Sequence, residues 1–241
     1  MKQQIVIAPP YASWHEWIAQ LPVAFDQQGT VIYDARNQIR LIAAPDGREV
    51  CVKRFHAPRL LNRWIYSFLR LPKAVRAYNN AVELNKLGVH TPEAIAYILI
   101  TRRGLLEESF LVTKRSMLTR NMYEFRHHPV EGYESVIQAL ARFTSHMHEQ
   151  GILHKDYSPG NILFDVMKDG SVSFDIVDIN RVRFSRPVSC EEGCHNFCRL
   201  WGKEDFFTLL ASEYAKARGF DERECVRLTL KYWRRFWAHR K

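Results

Sequence analysis

The sequence predicts an α+β fold, with strands in the first half of the chain and helices in the second. Apolar runs broken by turn formers occupy residues 21–55, and shorter runs follow at residues 94–100 and 109–114, as expected for strands. From residue 131 onward, apolar side chains instead recur at helical spacing. Sheet first and helices second is the order expected of a two-lobed α+β protein.

The boundary between the lobes is predicted near residues 114–121, where apolar runs give way to the polar connection S-M-L-T-R-N. We therefore assign residues 1–115 to an N-terminal lobe of antiparallel sheet and helices. Residues 116–241 are assigned to a shortened, mainly helical C-terminal lobe. The sequence contains no internal repeat or low-complexity linker, so the two lobes are predicted to form a single domain of residues 1–241.

In the N-terminal lobe, the segment E-V-C-V-K-R-F places Val50 near a core and Lys53 on the same strand. Helices are predicted over residues 59–70 and 73–87. The second helix should end at Gly88, because glycine readily adopts the left-handed conformation that closes a helix.

In the C-terminal lobe, residues 131–149 are predicted to form an amphipathic helix. Its apolar face carries Val136, Leu140, Phe143 and Met147. Residues 162–164 and 172–177 are predicted to pair as a short hairpin. Three helices complete the prediction, over residues 190–201, 203–217 and 221–238.

Composition and charge narrow the class of protein. With 46% hydrophobic and 25% charged residues, the chain is an ordinary globular protein, which excludes disordered and fibrous classes. A formal net charge of +9 favours an anionic partner such as a nucleotide, a phosphorylated sugar, nucleic acid or an acidic membrane surface. No recognition motif supports nucleic acid, so none is expected as a partner.

The N-terminal segment and the cysteines predict a cytoplasmic location. The first residues lack the apolar core and cleavage site of a secretory signal, and no run reaches the length of a spanning helix. Five cysteines in 241 residues are not a disulfide framework, which fits a reducing compartment.

Two short motifs carry the chemistry. The segment H-K-D-Y-S-P-G-N places Asp156 two residues after His154 and five before Asn161, and I-V-D-I-N places Asp178 further along. This is the H-x-D-x-x-x-x-N plus D-x-x layout of a kinase active site. Such side chains hold Mg²⁺-ATP and orient an acceptor hydroxyl toward the γ-phosphate.

Each residue of these motifs has an assigned role and a structural alternative. Asp156 would accept the hydroxyl proton, whereas alone it would be interpreted as a turn-capping aspartate. Asn161 and Asp178 would be the oxygen ligands of Mg²⁺, the alternatives being loop hydrogen bonding and a strand-end cap. Asp175 is a rival of Asp178, less favoured because Asp178 begins the turn. Lys155 would add positive charge near the phosphoryl group, or is a surface lysine.

The phosphate-binding residues are predicted on the N-terminal lobe. Lys53 lies on a V-C-V-K strand like the V-A-I-K lysine that contacts the α- and β-phosphates, and its alternative is an exposed edge lysine. Glu83, in the helix 73–87, is the best candidate partner for Lys53, or else a solvated helix charge. A glycine-rich phosphate loop is missing, so the turn around Arg36 would cover the phosphates, or is an ordinary hairpin turn.

The sequence resembles the bacterial lipopolysaccharide kinase family, which includes InaA-type proteins and the Kdo and heptose kinases. The resemblance runs through most of the chain, in V-C-V-K-R-F-H-A-P-R-L-L-N-R-W-I-Y-S-F-L-R-L-P-K-A-V-R-A-Y, L-G-V-H-T-P-E-A-I-A-Y, H-K-D-Y-S-P-G-N-I-L-F, D-I-V-D-I-N-R-V-R-F and N-F-C-R-L-W. It implies a shortened protein-kinase-like fold and phosphorylation of inner-core sugars with ATP and Mg²⁺. The family roles match the motif positions Lys53, Asp156, Asn161 and Asp178.

Two departures from the broader kinase pattern matter. No A-P-E segment follows Asp178, which argues against a protein substrate. Asn79 and Asn80 occupy the helix where relatives usually have an early glutamate, which leaves the partner of Lys53 open. The favoured function is an ATP- and Mg²⁺-dependent kinase for a sugar of the lipopolysaccharide core, and the alternatives are a small-molecule kinase of the aminoglycoside or choline type and a pseudokinase binding module.

Two further patterns were weighed. Cys190, Cys194, His195 and Cys198 do not have a standard zinc-finger spacing and are interpreted as small helix residues in a core, like Cys51 and Cys225. The basic and aromatic C-terminal helix could contact anionic lipid or glycolipid at the inner membrane, or simply pack on its lobe. The segment 59–76 has the same composition and the same two interpretations.

Overall fold

The structure, a computed structural model, describes residues 2–56 and 71–238. The predicted helix over residues 59–70 lies outside the described residues. The chain divides into two compact units. The first spans Met1–Lys86 and Pro92–Ser116, and the second spans Leu87–Thr91 and Met117–Lys241.

A six-stranded antiparallel sheet forms the first unit. Its strands are β1 (Lys2–Ile7), β2 (Thr30–Asp34), β3 (Asn37–Ala43), β4 (Glu49–Phe55), β5 (Ala94–Arg102) and β6 (Leu105–Lys114). They lie in the order β1-β5-β6-β4-β3-β2. β5 and β6 confirm the predicted strands at 94–100 and 109–114. Arg103 and Gly104 between them both have positive φ, as tight hairpin turns require.

Residues 21–27 are helical, so the prediction of strands throughout residues 21–55 is wrong at its start. Helix α1 (His15–Ala24) and a short 3-10 turn precede β2. Fully or almost fully buried side chains recur there at helical spacing and pack in the core of the sheet, namely Ile18, Leu21 and Phe25. Pro22 hid this pattern, because proline rarely lies inside a helix.

The second predicted helix of this lobe is confirmed as α2 (Lys73–Lys86). Its buried face follows helical spacing through Ala74, Ala77, Ala81 and Leu84, and it contacts β5 and β6. The small alanine side chains allow the helix axis to approach the sheet closely. Gly88 has a positive φ, so the predicted stop is confirmed.

Within residues 87–91 and 117–238, the second unit contains four α-helices and two small sheets. The helices are α3 (Glu134–Glu149), α4 (Cys190–Asn196), α5 (Glu204–Arg218) and α6 (Glu222–Ala238). The strands are β7 (Arg120–Asn121), β8 (Ile152–His154), β9 (Ile162–Val166), β10 (Val172–Ile176) and β11 (Val182–Phe184). One sheet has the order β10-β9-β7, and the other pairs β11 with β8.

The predicted hairpin and the predicted face of the amphipathic helix are both confirmed. β9 and β10 pair antiparallel, with Ile162 opposite Ile176. On α3, Val136, Leu140 and Met147 are buried. Phe143, at the edge of this face, stacks on Phe174 of β10 with ring centres 5.2 Å apart.

The C-terminal helix packs on its own unit. On α6, the rings of Trp233 and Trp237 contact Phe207 and Trp201, with centres 4.8 Å and 5.9 Å apart. The buried positions are Cys225, Leu228 and Thr229. The two tryptophans of this helix therefore pack against other residues of the unit, as the second of its two interpretations expects. Among the described residues, no helix is long and apolar enough to cross a membrane.

Gly151, between α3 and β8, is expected to be intolerant of a side chain. It has a φ of +74°, and a Cβ atom there would lie 2.0 Å from the Ser185 carbonyl oxygen. We expect Gly151→Ala to lower the free energy of unfolding by about 2–4 kcal/mol, from left-handed strain and overpacking together. Urea unfolding followed by circular dichroism measures this.

Gly170 provides the matched control for this prediction. It has a similar φ of +83°, but nothing lies within 4 Å of an added Cβ atom. Gly170→Ala should therefore lose only the backbone term, about 1 kcal/mol. Equal losses in the two variants would contradict the role of the Ser185 contact.

Candidate active site

The loop between β8 and β9 carries the first motif and is held by its own backbone. The Ser158 N–H donates to the Asp156 carbonyl over 2.8 Å, and the Asn161 N–H donates to the Ser158 carbonyl over 2.9 Å. Pro159 begins the 3-10 turn at its end, where a missing N–H costs nothing and the fixed φ is helical. This sequence therefore folds locally into a defined loop.

The side chain of Asn161 reaches back across this loop. Its Nδ2 donates to the Asp156 carbonyl oxygen over 2.8 Å. Because the amide is planar, this bond fixes its orientation and turns Oδ1 away from that carbonyl. A carbonyl-type oxygen held in this way is a suitable ligand for a hard cation such as Mg²⁺.

Val177 connects the loop to the second motif. Its N–H donates to the Asn161 carbonyl over 2.9 Å, and its carbonyl is 3.1 Å from Nε2 of His154. Asp178 is the next residue in the chain. Both ends of one peptide segment are therefore bonded to the loop of the first motif, and the two motifs meet in the second unit.

His154 is a scaffold residue in a fixed neutral tautomer. Its side chain is fully buried, and its Nδ1 accepts the Asp156 N–H over 3.1 Å. The proton must then be on Nε2, which donates to Val177. Burial lowers the pKa of His154. The residue fixes the backbone of Asp156 and is not needed as a proton carrier.

Asp178 adopts a backbone conformation that few residues other than glycine accept. Its φ of 54° and ψ of 43° are left-handed, which aspartate tolerates better than most residues. Asn180 Nδ2 donates to its Oδ1 over 2.7 Å. Asp175, its rival in the sequence, lies within β10 opposite Leu163. Backbone strain is concentrated at Asp178 and not at Asp175, as is common at functional sites.

The carboxylate of Asp156 is bound by an arginine that the motif does not contain. Arg199 Nη1 lies 2.7 Å from Asp156 Oδ1, and both side chains are about one-third exposed, at 36% and 28%. Arg199 follows α4 in a 3-10 turn, and its guanidinium carbon is 5.6 Å from the centre of the Phe236 ring on α6. Two helical segments therefore orient the proposed catalytic carboxylate.

A buried chain of hydrogen bonds runs from Arg218 to the His154 carbonyl and so fixes the backbone at the start of the loop. Arg218 donates to the Tyr214 hydroxyl over 2.9 Å, and that oxygen is 2.9 Å from His148 Nδ1. His148 Nε2 is 3.2 Å from Asn196 Oδ1, and Asn196 Nδ2 donates to the His154 carbonyl over 3.0 Å. One direction of donation satisfies every link, provided that His148 is neutral.

The pKa of His148 agrees with a neutral ring. Its side chain is completely buried, and this burial lowers its pKa from 6.5 to about 3 because a charged imidazole would lose its hydration. The neighbouring Tyr157 hydroxyl, also fully buried, bonds Thr144 of α3 over 2.7 Å. The loop that carries Asp156 is thus attached to α3, α4 and α5.

The other predicted site residues are Lys155 in the second unit and Lys53, Glu83 and Arg36 in the first. Lys155 is exposed, beside Asp156, and its N–H donates to the Arg181 carbonyl over 3.0 Å. In the first unit, Lys53 lies on β4 with Nζ 5.2 Å from the centre of the Phe55 ring. Glu83 is half-buried on α2, and Arg36 is exposed in the turn between β2 and β3.

The motif analysis did not identify Arg199, Asn196 or His148. A weak signal was present, because Asn196 and Arg199 are polar residues three apart in an otherwise apolar run. Ser189 and Glu192 form a capping box that starts α4, and S-x-x-E is recognisable in a sequence. Contacts between these positions and the loop are long-range, and a single sequence does not reveal them.

Comparisons with known proteins indicate the family and the fold of the chain. A model of the family described as "Lipopolysaccharide kinase (Kdo/WaaP) family" matches residues 36–232. The chain is similar to the solved structure "WaaP in complex with acyl carrier protein", with 17% identity, a TM-score of 0.66 and coverage of 99% of this chain and 100% of that one. A Rio2 kinase complex with ADP/Mg²⁺-phosphoaspartate from Chaetomium thermophilum has 15% identity, a TM-score of 0.48 and coverage of 95% and 77%.

The fold is protein-kinase-like, and the protein is a kinase. Because the family model covers most of the chain, the protein belongs to the lipopolysaccharide kinase (Kdo/WaaP) family. The predicted fold class is therefore confirmed.

Arg199 is expected to support turnover by positioning Asp156. In Arg199→Gln the carboxylate loses its charged partner, and we expect kcat to fall about 10- to 100-fold, as for other lost positioning contacts. Arg199→Lys, which keeps the charge but not the planar donor, should recover part of the loss. Steady-state kinetics should show the effect in kcat more than in the KM for ATP, and wild-type kcat in Arg199→Gln would refute this role.

Proposed function

We propose that this kinase transfers the γ-phosphoryl group of ATP to a sugar hydroxyl of the lipopolysaccharide inner core, on Kdo or heptose. The observation that carries the proposal is the arrangement around Val177, which bonds the loop of Asp156 and Asn161 to the turn of Asp178. The family membership supports the acceptor class. The net charge of +9 suits an anionic acceptor.

Three residues of the second unit have separate roles in the proposed phosphoryl transfer. Asp156 accepts a hydrogen bond from the acceptor hydroxyl and takes its proton late in the transfer. Lys155, exposed beside it, contributes positive charge near the transferred group. Arg199 holds the Asp156 carboxylate at a fixed angle.

The donor set of this unit fits Mg²⁺. Asn161 Oδ1 and the Asp178 carboxylate are hard oxygen ligands, and the fixed amide of Asn161 limits the rearrangement that binding requires. Mg²⁺ bound to ATP would neutralise the charge that develops on the phosphates. Asn161 and Asp178 are therefore the proposed metal ligands.

The first unit supplies the proposed phosphate contacts. Lys53 would bind the α- and β-phosphates and Glu83 would orient its ammonium group, as the strand lysine and helix glutamate of kinases do. Arg36, exposed at the turn between β2 and β3, would cover the phosphates in place of a glycine-rich loop. Lys53→Met should raise the KM for ATP if this assignment is correct.

The decisive experiment uses γ-labelled ATP, Mg²⁺ and purified core glycolipid that lacks the phosphate. Transfer of label to the glycolipid, with the new phosphate located by mass spectrometry, would establish both the reaction and the acceptor hydroxyl. Transfer only to a soluble aminoglycoside or to choline would favour a small-molecule kinase instead. ATP binding in a thermal-shift assay without any transfer would identify a pseudokinase.

A carrier-protein partner and contact with an anionic membrane surface are also proposed. The relative solved as "WaaP in complex with acyl carrier protein" makes that carrier protein a partner to test by co-purification.

The exposed basic residues Lys231 and Arg235 on α6 suit an anionic membrane surface. Because the aromatic residues of α6 pack within the unit, such contact would be electrostatic, and flotation with anionic vesicles should weaken as salt rises.

A further inference from the structure

Three cysteine sulfur atoms lie together between α4 and α6. Cys190 and Cys194 are one turn apart on α4, and Cys225 is near the start of α6. The three sulfur atoms all lie within 4.8 Å of one another, and those of Cys190 and Cys225 are 3.3 Å apart. All three cysteines are free thiols, and nothing in the proposed kinase chemistry uses them.

The surroundings of this cluster are apolar. Ala215 and Leu228 belong to the same buried group, and the rings of Phe220 and Tyr232 pack against it. Burial raises the pKa of the Cys194 thiol to about 12, and that of Cys225 is raised as well. These two raised pKa values are unlike the depressed pKa of a reactive catalytic cysteine.

The spacing of the sulfur atoms fits a metal ion. A Zn–S bond of about 2.3 Å implies sulfur atoms about 3.8 Å apart around a tetrahedral ion. The separations here, from 3.3 Å to within 4.8 Å, lie on both sides of that value.

A buried hydroxyl beside the cluster is a second, independent observation. Thr229 on α6 is fully buried, and its Oγ1 has no hydrogen-bond partner among the described residues. It lies next to Cys194 and would lower the pKa of that thiol by donating to its sulfur. A neutral thiol is only a weak acceptor for this donor, whereas a metal-bound thiolate accepts it strongly, as partners of metal ligands commonly require.

We propose that Cys190, Cys194 and Cys225 bind one zinc ion through three thiolates, which ties α4 to α6 and leaves the fourth position of the ion open. Binding is a ligand exchange in which the three thiol protons pass to solvent and no atom is oxidised. The fourth ligand is a water molecule on the side of Cys190, the half-buried member of the three. His195 is exposed and meets the ring of Tyr232 edge to face, with ring centres 4.8 Å apart, and it does not belong to the group of ligand atoms that lie within 4.8 Å of one another.

The site has a structural consequence for Arg199. α4 runs directly into the 3-10 turn that carries Arg199, and α6 carries the Phe236 ring beneath its guanidinium. An ion that joins the two helices would fix both supports of this arginine. The zinc proposal depends on the cysteines alone and stands or falls separately from the kinase acceptor.

The test measures zinc in the full chain, expressed in zinc-supplemented medium and purified without chelators or added reductant. Elemental analysis should find about one zinc ion per chain, as expected of a single site with three protein ligands. Cys190→Ser and Cys225→Ser should each lose most of it. Cys198→Ser is the matched control, because Cys198 is also buried, lies on the adjoining turn and is not part of the cluster.

A second measurement covers the case in which a variant folds poorly. Removing zinc with a chelator should lower the melting temperature of the wild type and of Cys198→Ser, and adding back zinc alone should restore it. Cadmium should produce thiolate charge-transfer absorption in both. Wild-type protein that neither retains nor takes up zinc, zinc loss in Cys198→Ser equal to that in Cys190→Ser, or a Cys190–Cys225 disulfide in the purified protein would each overturn the proposal.

Discussion

Asp156→Asn and Asp178→Asn are each expected to abolish phosphoryl transfer to the glycolipid while the protein remains folded. Asparagine keeps the shape of each side chain but removes the charge. Asp156 then cannot take the hydroxyl proton, a contribution of about 10²–10⁴-fold in rate. Asp178 loses the carboxylate proposed to bind Mg²⁺, so its loss should be as large or larger. Labelled-phosphate transfer, with circular dichroism as the check on folding, measures both effects.

Two further aspartates provide matched controls. Asp175→Asn changes the rival position three residues before Asp178, within β10. Asp169→Asn changes an aspartate in the hairpin turn, where it accepts only from Ser171 among the described residues. Both variants should keep most of the wild-type turnover. Retained turnover in Asp156→Asn and Asp178→Asn, or loss in Asp175→Asn instead of Asp178→Asn, would overturn the assignment.

Comparing Asp156→Asn with Asp156→Ala separates the effect of losing the carboxylate charge from the effect of losing the contact with Arg199. In Asp156→Asn, Arg199 keeps an amide oxygen to which it can donate, so the surroundings should change little. In Asp156→Ala, Arg199 loses its 2.7 Å contact and an uncompensated guanidinium remains, at about one-third exposure. Equal loss of turnover in both variants would locate the effect in the carboxylate, whereas a much smaller loss in Asp156→Asn would indicate a structural role.

The position of the motif residues in one loop was predictable because their spacing is local, and their catalytic roles stay a prediction. Asp156 and Asn161 lie in one loop, and a five-residue interval in a sequence is enough to indicate that they act together. The hairpin of β9 and β10 was predictable for a similar reason, since two apolar runs flank an obvious turn. The backbone bond between Val177 and Asn161 follows from this hairpin and its register.

The supporting residues were not predictable, because their contacts span long stretches of chain. Arg199 reaches Asp156 across 43 positions, and Asn196 reaches the His154 carbonyl across 42. Both residues lie in the segment N-F-C-R-L-W that carries part of the family resemblance, but that resemblance assigned neither of them a role. Cys225 meets Cys190 across 35 positions, so analysis of α4 alone could only show a stripe of cysteines. The packing of helices, which side-chain shape decides, brings each pair together.

The failure at residues 21–27 has a different physical cause. Local propensity opposes the observed structure there, because Pro22 lies inside α1 and proline disfavours a helix interior. Burial of Ile18, Leu21 and Phe25 against the sheet stabilises the helix by more than the lost backbone bond costs. The β2 strand that follows is exposed along its length, so it offered no alternation between buried and exposed positions either.

Acid should destabilise the second unit through His148. An unfolded chain takes up a proton on this histidine below its ordinary pKa of 6.5, whereas in the folded chain burial holds the pKa at about 3. Between these values the unfolded state binds more protons, so the free energy of unfolding falls as the pH falls. The slope contributed by this one group approaches about 1.4 kcal/mol per unit of pH. Urea unfolding at several values between pH 7 and pH 5 measures it.

The charges that face His148 set the size of this effect. Arg218 on α5 and Arg183 on β11 lower its pKa, and Glu192 on α4 raises it, but loss of hydration dominates. The bond to Asn196 raises the pKa, because Asn196 Oδ1 accepts from the Nε2–H in either protonation state, whereas the Tyr214 hydroxyl can donate to Nδ1 only when the ring is neutral. Protonation would reverse one donor in the buried chain that ends at the His154 carbonyl. Catalytic activity should therefore be lost with the fold, because that carbonyl belongs to the loop of Asp156.

His148→Gln isolates the contribution of the imidazole. Glutamine also offers a donor and an acceptor, but it does not titrate, so the variant should be less stable than wild type at pH 7 by about 1–3 kcal/mol and show a shallower dependence on pH. His146→Gln, an exposed position on the same helix, is the control and should keep the wild-type slope. Parallel pH dependences for wild type and His148→Gln would show that the acid lability arises elsewhere in the chain.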